Sequence, residues 1–137
     1  MIVVDTNVWS EATKAEPNPV VREWARRNES KLWLTSVVLA ELRAGAAMMP
    51  LGKRRSALEK QFDALAADYE DRLLLFDAQS SAFYAQVLET AKNAGKPIAT
   101  ADAMIAAAAL QHGMSVATRD LGDFVGAGVK LINPWDS

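Results

Sequence analysis

Short apolar runs alternate with stretches of helical period from one end of the chain to the other, and no other feature limits its fold as tightly. Ile2-Val3-Val4 reads as a buried strand, and Leu32–Thr35 as a second. Leu73–Phe76, Val116-Ala117 and Val129–Ile132 supply a third, a fourth and a fifth. A helix is expected after Asp5-Thr6-Asn7, ending near the break Glu16-Pro17-Asn18-Pro19. Another covers Val20–Arg27, where Val20, Val21, Trp24 and Ala25 recur at helical spacing. Ser36 suits the N-cap of a helix from Val37 to about Ala47. Arg54–Ala67 carries Leu58, Phe62 and Leu65 at helical intervals, and Asp77 and Ser80 introduce a helix toward Gly95. The nearly all-apolar Ala101–Leu110 reads as a buried helix. Strands separated by helices predict an α/β fold, with a parallel or mostly parallel sheet of four to five strands covered on both faces. No repeat, low-complexity tract or linker divides residues 1–137, so one domain is expected. Ligands of such sheets gather outside the carboxyl ends of the strands.

Several chemistries are excluded at once. The chain of 137 residues has no cysteine, which removes disulfides, thiolate metal sites and cysteine nucleophiles. Its one histidine, His112, stands before Gly113 and reads as a helix end with a glycine cap. Serine–histidine hydrolysis and histidine-rich zinc sites have nothing to build on. A net charge of −2 gives no overall field to draw the protein onto nucleic acid, so such binding needs a local basic patch or bound cations. The opening MIVVDTN has no basic lead, and its apolar run is too short for a signal peptide or a membrane span. The cytoplasm is the expected location.

Acidic residues fall where a ligand would. Asp5 directly follows the first strand, Asp120 lies just past the fourth, and Asp102 sits in the first turn of the alanine-rich helix, whose positive end favours a carboxylate. Each also has an ordinary reading as a cap or turn residue. Glu41 is harder to explain that way. Its neighbours one turn away are Val37, Val38, Ala44 and Gly45, a stripe expected to face the interior. A carboxylate there needs a counter-charge, a proton or a metal. Arg43 points roughly 200° round the helix and is no partner; a distant Lys or Arg is the alternative. Two like charges about 4 Å apart repel by about 4 kcal/mol at an effective dielectric of about 20. Four such groups brought together must therefore keep protons or hold a cation. Oxygen donors without His or Cys select Mg²⁺ or Mn²⁺. Such a site suits attack by water on a phosphodiester. Spacing alone leaves the grouping open.

The segments IVVDTNVWSE, SVVLAELRAG, IATADAMIAAAAL and VATRDLGDFVGAGVKLINPW resemble a PIN domain. More narrowly, they look like the toxin of a VapBC-type toxin–antitoxin pair, nearest the FitB-like branch, over Ile2 to Trp135. The resemblance implies a three-layer α/β/α sandwich and a Mg²⁺- or Mn²⁺-dependent endoribonuclease. It assigns the four acids to Asp5, Glu41, Asp102 and Asp120, as catalytic residues and metal ligands, with Asp123 as a water-mediated ligand. Thr6, Asn7 and Thr118 match polar residues that orient carboxylates or bound water. The implied partners are an RNA substrate, an antitoxin of the VapB/FitA type and a second copy of the chain in a homodimer, within a larger assembly. Lys53, Arg54 and Arg55 lie in a basic loop, residues 51–55, that reads equally as an RNA contact or a solvated charge run; Arg119, Lys92 and Lys96 extend it. Trp9 is near the acids and is expected to pack rather than stack a base.

Three rival readings make different demands. A catalytically silent PIN-fold binding module would normally have lost an acid, whereas all four are present. A phosphoacceptor receiver needs adjacent acids after the first strand, where Thr6-Asn7 stand, although Asp77 does follow a third apolar run. A dehalogenase-like phosphatase needs a second Asp at the position of Asn7.

Overall fold

A computed structural model describes residues 1–137. Five strands, β1 (Ile2–Val4), β2 (Leu32–Thr35), β3 (Leu73–Leu74), β4 (Ser115–Ala117) and β5 (Leu131–Ile132), form one sheet in the order β3-β2-β1-β4-β5. Every pairing is parallel, with Val3 opposite Trp33 on one side and Val116 on the other. The helices are α1 (Thr6–Ala12), α2 (Pro19–Asn28), α3 (Ser36–Ala47), α4 (Lys53–Asp68), α5 (Ala78–Asn93), α6 (Thr100–His112) and α7 (Leu121–Phe124). The chain runs outward from β1 through β2 to β3, then crosses to β4 and β5 on the other side of β1. Right-handed crossovers place helices before and after that reversal on opposite faces of the sheet. Accordingly α1 packs on α2 and α3, and α3 on α4, while α5 packs on α6 and α6 on α7. The result is the three-layer α/β/α sandwich. Its switch point is the crevice between the carboxyl ends of β1 and β4.

The sheet is dry because its residues are apolar on both faces. Val3, Val4, Leu34 and Val116 are fully buried, as are Ile105, Ala106, Ala107 and Ala109 of α6 above them. The short alanines let α6 lie close to the strands, with which it is in contact at β1 and β4. Removing a side chain such as that of Leu34 would leave a cavity costing about 2–5 kcal/mol.

Most expected elements appear within a residue or two, and the differences have local causes. The N-cap of α3 is Thr35, not Ser36: the Thr35 hydroxyl accepts from Val38 N at 3.1 Å, and Ser36 is the first helical residue. The third strand ends at Leu74, because Phe76 N turns to the Ser36 hydroxyl at 3.1 Å and Leu75 is 62% exposed. Lys53-Arg54-Arg55 is the first turn of α4 rather than a loop. Asp77 and Ser80 do form a reciprocal cap on α5, and Gly113 closes α6 at φ 65°.

Candidate active site

Asp5 ends β1 and caps α1, so its backbone and side chain are both fixed. One carboxylate oxygen accepts from Thr6 N at 2.8 Å, the other from the Thr118 hydroxyl at 2.8 Å, and the residue is 5% exposed. The Thr118 hydroxyl in turn accepts from Asp120 N at 3.0 Å and from Asn7 Nδ2 at 3.4 Å. Asn7 Nδ2 also donates to Asp120 Oδ2 at 3.0 Å. These bonds tie the end of β4 to the start of α1 across the switch point. Glu41 enters from α3 and accepts from the Thr6 hydroxyl at 2.7 Å. Asp102 comes from the first turn of α6.

Asp5, Glu41, Asp102 and Asp120 therefore line one cleft of 430 Å³, together with Thr6, Asn7 and Arg119. Thr118 is wholly buried behind it. Asp123 is exposed in α7 and is not on the wall of the cleft, though its charge reaches Asp102. Glu41 needs one correction. The buried face of α3 is Val38, Leu42 and Ala46, and Ala44 and Gly45 are exposed, so the glutamate is half-buried at the cleft rather than enclosed in the core. Arg43 is turned away as expected and pairs with Asp63 at 2.8 Å.

Acids outnumber cations on the cleft wall, and its two basic residues, Lys14 and Arg119, are not paired with the four acids. None of the four ion pairs in the molecule includes Asp5, Glu41, Asp102 or Asp120. Burial, followed by the charges of Asp5, Asp123, Glu41 and Asp120, pushes the Asp102 carboxyl up to about 6. Burial also raises Asp5, outweighing its bonds from Thr118 and Thr6, with Glu41 and Asp120 adding to the rise. No three acidic side chains are gathered closely enough to hold one ion as they stand. Mutual repulsion is a physical reason for carboxylates in one cleft to stand apart.

Four residues on the wall went unnoticed in the sequence: Ser10, Glu11, Lys14 and Trp135. Glu11 and Lys14 follow Asn7 at helical spacing, four and seven positions on, which was a usable signal. Glu11 is buried, and accepts from Lys14 Nζ at 3.0 Å and from Asn18 N at 3.2 Å, so it fixes the α1–α2 turn. These bonds hold its carboxyl below the usual range, the Lys14 bond most of all. Trp135 arrives from the far end of the chain and gave no local signal.

The basic residues are dispersed. Of Lys53, Arg54, Arg55 and Arg119, only Arg119 borders the acidic cleft. Arg55 is half-buried, with Nε 3.6 Å from Glu59 and Nη1 donating to Met49 O at 3.3 Å. Lys92 and Lys96 flank a separate cleft with Leu88 and Ile98. Trp9 packs as expected: its Nε1 donates to Val4 O at 3.1 Å and its ring lies 5.0 Å from that of Tyr69. Asp77 is occupied in the α5 cap and lies outside the acidic cleft, so a receiver reading has no pocket at that position.

A parallel α/β sandwich with a carboxylate cleft at its switch point defines the class of protein, and comparison with known proteins narrows it. The PIN domain pattern matches residues 2–125. A plasmid stability protein, StbB, of Pseudomonas syringae pv. tomato is 45% identical over 140 residues, covering 100% of both chains. A VapC ribonuclease of Sinorhizobium fredii is 45% identical over 139 residues, covering 99% of each. The solved structure of FitAcB from Neisseria gonorrhoeae superposes with a TM-score of 0.93 at 40% identity, over 100% of both chains. The chain belongs to the PIN domain family, in the branch of the VapC ribonucleases and FitB toxins.

Proposed function

We propose that the chain is a Mg²⁺- or Mn²⁺-dependent endoribonuclease and the toxin of a toxin–antitoxin pair, with Asp5, Glu41, Asp102 and Asp120 as its catalytic residues. The observation that carries this reading is the convergence of four carboxylates from four separate segments on one cleft, none of them in an ion pair. The names of the relatives, ribonuclease and toxin, support the same reaction.

The donor set fits a hard divalent cation. It offers only oxygen ligands, and burial together with neighbouring acids raises the Asp102 carboxyl, a penalty on the charged form that a bound cation would relieve by drawing the acids in from their present spacing. Asp5, Glu41, Asp102 and Asp120 would hold the ion, and Asp123 contributes charge from outside the wall. When bound, it supplies Lewis-acid stabilisation of the phosphoryl oxygens and of the leaving group. The protein's own part is positioning. Thr118 and Thr6 N fix both oxygens of Asp5, Thr6 Oγ1 orients Glu41, and Asn7 orients Asp120. In the hydrolysis itself, water oxygen bonds to phosphorus, a P–O ester bond breaks, and the leaving oxygen takes up a proton. Carboxylates spaced round the cleft are placed to accept the proton that water gives up.

The same reading assigns residues 1–137 to one catalytic domain acting in the cytoplasm as a homodimer, held in check by an antitoxin. Its structural neighbours, FitAcB and FitAB, and the VapBC complexes support the partner. No helix of the chain is long and apolar enough to cross a membrane. Purified, antitoxin-free protein should degrade RNA with Mg²⁺ or Mn²⁺ and lose that activity in EDTA. Cleavage that continues in EDTA, or in both Asp5→Ala and Asp102→Asn, refutes the metal-dependent mechanism. RNA left intact by soluble wild-type protein with either ion present favours the silent binding module.

A further inference from the structure

Trp135 is the single hydrophobic residue among the 11 that line the acidic cleft. It comes from a short 3₁₀ turn, Pro134–Asp136, capped by Asn133, whose Oδ1 accepts from Trp135 N at 3.0 Å. The turn packs against α2, and the ring is half-buried. Over it lies the guanidinium of Arg119, 5.1 Å from the ring centroid. Arg119 is exposed and takes part in none of the four ion pairs, although an acidic wall is beside it. Trp9, the aromatic that the sequence puts nearest the acids, is not on this wall and is tied to Val4 O and to the Tyr69 ring.

A carboxylate cleft repels the phosphates of its own substrate, so part of the affinity has to come from elsewhere. Base faces are the uncharged part of RNA, and any base can stack on an aromatic ring. Arginine is planar, stacks on such rings and also pairs with phosphate. An exposed arginine without a carboxylate partner can leave the ring for a phosphate at small cost and uncover the face.

We propose that Trp135 and Arg119 form a nucleobase subsite beside the acids, in which the Trp135 ring stacks one base of single-stranded RNA and Arg119 meets the adjoining phosphate. The subsite deepens the ribonuclease reading and rests on it. Paired bases present no free face, so the subsite selects unpaired nucleotides.

The test is fluorescence anisotropy of a labelled single-stranded RNA, and of an abasic ribose-phosphate backbone of equal length, in calcium buffer. Trp135→Leu should weaken RNA binding roughly tenfold, Trp135→Phe should restore most of it, and the abasic backbone should bind both variants as it binds wild type. Should Trp135→Leu fail to fold, tryptophan emission decides. RNA should quench wild type more than Trp135→Phe, and the abasic strand should quench neither. RNA binding unchanged in Trp135→Leu, an equal loss on the abasic backbone, or equal quenching of wild type and Trp135→Phe overturns the subsite. Incubating the same RNA with wild type and Mg²⁺ separates the two readings. Cleavage without dependence of binding on Trp135 removes the subsite alone, and base-dependent binding without cleavage removes the ribonuclease alone.

Discussion

The Thr118 hydroxyl donates to Asp5 Oδ2 at 2.8 Å across 113 positions of sequence, and with the Asp5 N bond to Ala117 O at 2.9 Å it joins the end of β4 to the end of β1. Because the same hydroxyl oxygen accepts from Asp120 N and Asn7 Nδ2, one buried atom serves three partners. Thr118→Val keeps the shape and removes all of these hydroxyl bonds. The expected loss is about 1–3 kcal/mol, the cost of leaving buried polar groups unpaired. Urea denaturation measures it, and Thr118→Ser should recover most of the stability.

Thr6 does the corresponding work for Glu41, with its hydroxyl 2.7 Å from Oε1. Groups that orient metal-binding side chains typically contribute about 10–100-fold to metal affinity or activity. Thr6→Val should therefore raise the Mn²⁺ concentration needed for half-maximal RNA cleavage by about that factor, with the melting temperature little changed. An unchanged Mn²⁺ requirement would mean that Glu41 needs no such support.

The elevated Asp102 carboxyl fixes the sign of a pH effect. In the folded chain it takes up its proton at about 6, against 3.8 for an unperturbed Asp. Between those values the folded state binds more protons than the unfolded state, so this contribution to stability is complete below about 4 and is lost as pH rises through about 6. With EDTA present, Asp102 should account for a loss of about 1 kcal/mol across that interval, after allowance for solvent screening, read as the difference between wild type and Asp102→Asn. Asp102→Asn should flatten the decline. A stability that rises with pH over this range in wild type, and does so unchanged in Asp102→Asn, contradicts the assignment.

How much of this was visible in the sequence depends on whether the signal was local. β1 and β2, the Asp77–Ser80 cap and the glycine end of α6 were read correctly because each is written in adjacent residues. The acids at strand ends were placed by the rule that governs parallel sheets. Leu75 and Phe76 were misread as strand because an apolar run does not say where a sheet edge stops. The stripe around Glu41 misled because alanine and glycine carry little directional information: Ala44 and Gly45 face solvent, while Leu42 marks the true inner face. Trp135 could not be placed on the cleft at all, since only the β4–β5 pairing brings the chain end there.

Ion binding and ion-free stability should move in opposite directions when a cleft acid is neutralised. Asp120 is exposed and accepts only from Asn7, so Asp120→Asn removes repulsion from the cleft at little structural cost. In EDTA the variant should melt at or slightly above the wild-type temperature. Mn²⁺ at about a hundred times its dissociation constant stabilises a folded protein by about 2.7 kcal/mol, which should raise the wild-type melting temperature by several degrees. That rise should shrink in Asp120→Asn and vanish when Asp102→Asn is added. A full Mn²⁺ shift in the double variant would place the ion outside this cleft, since two of its four carboxylates would then be dispensable for binding.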